Sequence, residues 1–171
     1  MTTTTRRQSL ALLLAGCTVS SRGAAAALPA PTGEPILTVS GSLGVANGDG
    51  AAAFDRGMLE RLGVSSFTTS TPWYERPVAF EGVLVANLLS AVGAKGRTVT
   101  AVALNDYATE IPVSDFQRFG VLLALKRDGA YMPVRDKGPI FLIYPFDMNP
   151  ELKARLYYSR CVWQLRRMVV G

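Results

Sequence analysis

A single α+β domain, with a mixed β-sheet and short helices, is what this sequence predicts, and three observations predict it. Segments rich in β-branched and aromatic residues outnumber segments with a helical apolar stripe. The two kinds intermix without a repeating unit. The 171 residues, 49% of them apolar, suffice for one ordinary core.

The elements follow in order. "ILTVSG" (36–41) opens the domain as a strand. "SLGVANGDGAA" is turn-rich, and the glycines of Asn47-Gly48-Asp49-Gly50 suit left-handed turn positions. Its aspartates lack the ordered oxygen series ending in a bidentate glutamate that a calcium loop requires, so it reads as a plain turn. Phe54, Met58, Leu59 and Leu62 fall at helical spacing and predict a short amphipathic helix stopped by Gly63. "VSSFTTST" is a strand that runs into a loop, Thr69 to Glu81, in which Trp73, Tyr74, Glu75 and Arg76 crowd between Pro72 and Pro77.

Leu84, Leu88, Leu89 and Val92 share the face of a second helix, ended by Gly93. "TVTAVALND" alternates as a strand, "TEIPV" is a shorter extended piece, and Ser114 is read as the cap of a brief helix to Phe119. "GVLLALKRDGAYMP" predicts a hairpin turning at Asp128-Gly129, "VRDKGP" a charged loop, and "IFLIYPF" a strand buried on both faces. Asn149 and Pro150 are a cap and first position for a helix through "ELKARLYY". "RCVWQLRRMVV" closes the chain as a strand, with Cys161, Trp163, Leu165 and Val169 expected on one side.

Residues 1–27 are a different material. A polar, basic start, a short apolar run "LALLLAG" and the small residues "GAAAA" form an export signal, and 28–35, "LPAPTGEP", is an extended linker to a domain at 36–171. The apolar run is far shorter than the roughly 20 residues a bilayer span needs, so no transmembrane span is expected. Leu14-Ala15-Gly16-Cys17 resembles a bacterial lipobox, and Ala25 to Ala27 resembles an ordinary signal-peptidase site; both readings stay open. "TRRQSL" resembles part of a twin-arginine signal, with Ser9 where a bulky apolar residue is usual. Each places the domain in the bacterial periplasm, free or as a membrane-anchored lipoprotein.

Charge and composition exclude several classes of function. Arg6, Arg7 and Arg22 account for three of the 18 basic residues, so from Leu28 on 15 basic side chains face 13 acidic ones. The pI of about 9.5 belongs largely to the leader, and no nucleic-acid partner is expected. The chain has no histidine, which removes serine and cysteine triads, imidazole acid–base catalysis and histidine-bearing metal sites. No catalytic residue and no metal ligand can be assigned, and Cys161 reads as a small buried apolar residue. Three loops that follow strands remain: Thr69 to Glu81, Asn105 to Thr109 and Val134 to Gly138. Together they could give a flat heterocycle a ring to stack on and a few aimed polar groups.

The order of segments from Ile36 to Val170 resembles the molybdopterin-binding domain of the sulfite oxidase fold. The matching pieces are "ILTVSG", "FEGVLVANLLSAVG", "NDYATEIPVSDF", "LLALKRDGAYMPVRDKGPIFLIYP" and "CVWQLRRM". Enzymes of that family ligate molybdenum through a cysteine after the second strand, where this chain has "TTSTPW" and no thiol. A hydroxyl does not replace a thiolate on a soft metal. With "RDKGP", "YP" and "VWQL", the chain is more similar to a small exported branch that includes periplasmic pterin-binding sensors. That resemblance implies a reduced pterin bound without metal, and a partner in the periplasmic domain of an inner-membrane sensor that controls cyclic di-GMP signalling. Trp73 or Tyr107 would stack on the ring, Asp106 or Asp136 would accept its guanidine-like edge, and Arg76, Arg135 or Lys137 would meet its oxygens. The alternative it leaves open is a molybdopterin-dependent oxidoreductase with an oxygen ligand from Thr69, Ser70 or Thr71.

Overall fold

The computed structural model describes residues 28–171, and the export-signal reading of 1–27 lies outside the described residues. The architecture is α+β, mostly strands in two sheets with a few short helices. The chain runs β1 (Leu37–Gly41), β2 (Ala52–Phe54), α1 (Arg56–Glu60), β3 (Val64–Thr69), β4 (Val78–Leu84) and α2 (Val85–Ala91). It continues through β5 (Thr98–Ala103), β6 (Ala108–Pro112), α3 (Val113–Phe119), β7 (Leu122–Arg127), β8 (Ala130–Tyr131), β9 (Phe141–Ile143), α4 (Arg155–Ser159) and β10 (Leu165–Val170).

The expected single mixed sheet is two sheets. The first has the order β2-β1-β10-β5-β6 and is mixed, because the first and last strands pair in parallel with Val39 beside Met168. The second is antiparallel in the order β3-β4-β7, with β8 and β9 dividing the far edge of β7 between them. One buried apolar cluster joins both, with Leu37, Val39, Val99 and Met168 from the first and Phe80, Val83, Leu123 and Phe141 from the second. Among the described residues no helix is long and apolar enough to cross a membrane.

Several boundaries differ from the sequence reading, each for a physical reason. Phe54 belongs to β2, opposite Leu37, and the helix begins after it because Asp55 caps it, accepting the Met58 amide at 2.7 Å. The other Asp55 oxygen accepts the amides of Thr32 at 2.8 Å and Gly33 at 2.9 Å, which pins the linker to the domain and holds this carboxyl down at about 2. The end of the loop read as Thr69 to Glu81, from Val78 on, belongs to β4, the strand between β3 and β7. Gly82 hid it: the register slips between Glu81 and Gly82, and a Cβ there would collide with the Leu123 carbonyl oxygen.

Pro112, not Ser114, precedes α3, its fixed φ of −61° setting the entry into the helix. The helix expected through "ELKARLYY" divides. Asn149 caps a 3-10 turn at Pro150–Leu152 by accepting the Glu151 amide at 3.0 Å, and Lys153 leaves the helical region before α4. The closing strand starts only at Leu165, and a bulge between Leu165 and Arg167 changes which side faces in. Leu165, Met168 and Val170 are buried while Trp163 is 41% exposed.

Candidate functional site

Two of the three loops singled out in the sequence converge with the segment that precedes β10. The first is held at its base. The Thr69 hydroxyl, fully buried, accepts the Asp147 amide at 3.0 Å, and the Ser70 amide donates to the Asp147 carboxylate. Lys153 approaches the same carboxylate at 2.7 Å; this ion pair, with the Ser70 amide bond, holds the carboxyl at about 2. The Thr71 hydroxyl accepts the Trp73 amide at 3.2 Å, which sets where the indole goes. That ring stands edge-on to Phe141, Phe146, Tyr158 and Trp163, with centroids 5.7, 6.3, 6.1 and 5.7 Å away.

The second loop turns sharply after β5. Asp106 takes a left-handed conformation, φ 64°, and the Asn105 side-chain oxygen accepts the Tyr107 amide at 3.2 Å. The Tyr107 hydroxyl donates to the Ser159 carbonyl at 2.7 Å, bridging from the first sheet to α4. Gln164, also left-handed at φ 50°, donates its side-chain amide to the Val134 carbonyl at 2.7 Å and its backbone amide to the Lys137 carbonyl at 3.0 Å.

Between these groups lies an aromatic cleft of about 280 Å³. Trp73, Tyr107, Tyr158 and Trp163 wall it, Asn105 and Gln164 supply amides, and Ala103 and Cys161 complete it. Among the described residues no charged side chain lines it. Burial pushes the Cys161 thiol up to about 12, so it stays a neutral S–H, donating to the Tyr157 carbonyl at 3.6 Å.

A buried polar knot supports the α4 side. Asp115 accepts the Tyr144 hydroxyl at 2.8 Å and the Arg160 guanidinium at 2.7 Å, the Arg160 and Asp115 side chains being only 16% and 10% exposed. Burial and the neighbouring Asp115 carboxylate raise the Tyr144 phenol far above its ordinary range. Arg160 sits between Ser159, which holds Tyr107, and Cys161, so the knot fixes that whole wall.

The charged candidates lie elsewhere. Arg76 pairs with Asp128 at 2.7 Å, and Asp136 pairs with Arg127 at 2.7 Å. Arg127 also donates to the Tyr74 hydroxyl at 3.1 Å, and Tyr74, Arg76, Arg127 and Asp128 line a second, polar cleft of about 520 Å³. Asp106 pairs with Arg166 at the surface, and Arg135 is exposed on the 3-10 turn Val134–Asp136. Lys137 stands between the clefts, its ammonium 4.7 Å from the Tyr74 ring centre and 4.8 Å from that of Trp163.

No protein-family model matches the chain, and no curated protein matches it.

Of the residues expected to bind a ligand, the structure therefore brings Trp73 and Tyr107 together, sets Lys137 and Asp106 beside them, and leaves Arg76, Arg135 and Asp136 apart. It adds Asn105, Tyr158, Trp163 and Gln164. Asn105 and the "VWQL" stretch were conspicuous in the sequence, but only the backbone reversals at Asp106 and Gln164 carry them into one cleft.

The donor set does not fit a molybdenum centre. The one sulfur in the cleft is a buried neutral thiol, the Thr69 and Thr71 hydroxyls already hold backbone amides, and Ser70 is engaged, amide and hydroxyl, with the Asp147 carboxylate. The same walls offer aromatic rings and uncharged amides instead. The amides of Asn105 and Gln164 each carry a donor and an acceptor.

Proposed function

We propose that this chain is an exported, metal-free binding protein for a reduced pterin, of the sulfite oxidase-like fold its motifs resemble. In this reading it passes ligand occupancy to the periplasmic domain of an inner-membrane sensor, with cyclic di-GMP control as the output. The observation that carries it is the cleft itself: four aromatic side chains and two amides around about 280 Å³, without a charge in the lining. An indole or phenol face supports a planar ring by about 1–3 kcal/mol per stacked ring, and amides select its edge. Trp73 and Tyr107 stack, and Asn105 and Gln164 align the lactam. Asp106, whose exposed pair with Arg166 is weakly held, meets the amino-substituted end at the rim.

Protein taken from the native envelope tests this directly. Released small molecules are examined by fluorescence and mass, with molybdenum measured on the same sample. A pterin without metal supports the proposal. Stoichiometric molybdenum with a pyranopterin would return the chain to the oxidoreductases, and no small molecule at all would favour a domain that binds only proteins.

A further inference from the structure

The second sheet ends in a strand that nothing among the described residues covers. Among the described residues β3 pairs only with β4, in unbroken register from Val64 opposite Val83 to Thr69 opposite Val78, and Val64 to Thr68 have no other backbone partner there. The remaining edges are guarded in familiar ways. β2 has three residues and β8 two, while β6 carries Glu110 and ends in Pro112. β3, "VSSFTT", has six residues with no charge, proline, glycine or bulge, and Val64 is 53% exposed upon it. At its far end the edge is closed by Asp147, which holds Thr69 and Ser70, so the open stretch is Val64 to Thr68.

We propose that this stretch pairs with its own counterpart in a second copy of the chain, antiparallel about a two-fold axis at Ser66. The sequence is self-complementary in that register. Val64 meets Thr68 of the other copy, Ser66 meets Ser66, and Ser65 meets Phe67. The exposed residues 64, 66 and 68 thus share one face and the half-buried residues 65 and 67 the other. With no charge between 64 and 68, self-pairing opposes no like charges, and the two sheets become one continuous sheet. A two-fold contact closes on itself, so it yields a dimer and no fibre. The inference stands apart from the ligand reading, since none of Val64 to Thr68 lines the aromatic cleft.

The test is sedimentation velocity of the exported chain over a range of concentrations, with two variants. The wild-type chain is expected to show a reversible dimer. Ser66→Lys, which sets two ammonium groups against each other on the axis, is expected to raise the dimer dissociation constant at least about tenfold while the circular dichroism spectrum stays unchanged. Ser66→Cys is expected to form a covalent dimer on a non-reducing gel, because residues paired on an antiparallel axis bring their Cβ atoms within disulfide reach; Thr68→Cys alone is not. A monomer at every concentration, a dimer indifferent to Ser66→Lys, or cross-linking through Thr68→Cys instead would overturn the proposal.

Discussion

The aromatic cleft and the polar cleft lie on either side of Lys137, yet they are built on opposite principles. At the polar cleft Arg76 pairs with Asp128 and Arg127 with Asp136, each at 2.7 Å, so the candidate contacts Arg76 and Asp136 are both taken up by charges the sequence had not singled out. In the aromatic cleft the walls are apolar and the amides of Asn105 and Gln164 have capacity left over, while the nearest strong ion pair, Arg160 with Asp115, is buried behind the wall. Around the polar cleft charge meets charge, whereas the aromatic cleft is lined by uncharged groups. In the function we propose, the rings hold the ligand and the ion pairs beside them act as scaffold.

The largest effect that would sharpen this contrast is expected from Trp73→Ala. It removes four edge-on aromatic contacts and one wall together, at about 3 kcal/mol of stability in urea unfolding, and it abolishes saturable pterin binding in a fluorescence titration. Next comes the pair Asp115→Asn and Asp136→Asn. The first strands a buried guanidinium and costs about 3 kcal/mol, weakening ligand binding through the displaced Tyr107–Ser159 bridge. The second loosens a half-exposed pair, costs less than about 1 kcal/mol, and leaves affinity alone.

Asn105→Ala or Gln164→Ala should reduce pterin affinity about tenfold, with the melting midpoint shifted by no more than about 2 °C. pH separates the regions again. Asp55 and Asp147 have folded-state values near 2 against an ordinary 3.8, so the stability they contribute is complete above that ordinary value and is lost as pH falls from there toward 2. With no ionised group in the cleft lining, affinity should stay level between about pH 5 and 8 in the same titration. The smallest effect is expected from Arg76→Ala, an exposed pair with Asp128, which should leave both the melting midpoint and the affinity unchanged by calorimetry.

Much of the strand pattern was legible because local chemistry and tertiary structure agree. β1, β3, β5 and the hairpin of β7 and β8 form where β-branched alternation and the Asp128-Gly129 turn place them. β4 was not legible, since Pro77 and Gly82 interrupt its pattern and its pairing partners, β3 and β7, lie far apart in sequence. In the site, Trp73 and Tyr107 could be named because aromatic residues in strand-following loops are conspicuous. The fate of Asp106, Asp136 and Arg76 could not, because an ion pair depends on which distant residue the fold sets opposite. Trp163 was misplaced for a related reason: the strand begins only at Leu165, and the left-handed reversal at Gln164 that separates Trp163 from it has no mark in the letters.

The measurement that tests the central claim most directly is a reduced-pterin titration of three proteins in parallel, the wild-type chain, Trp73→Ala and Arg76→Ala. If the aromatic cleft is the binding site, the wild-type chain and Arg76→Ala bind one equivalent with the same affinity and Trp73→Ala does not saturate. Binding retained by a folded Trp73→Ala but lost in Arg76→Ala would place the ligand among the charges of the polar cleft and contradict the assignment.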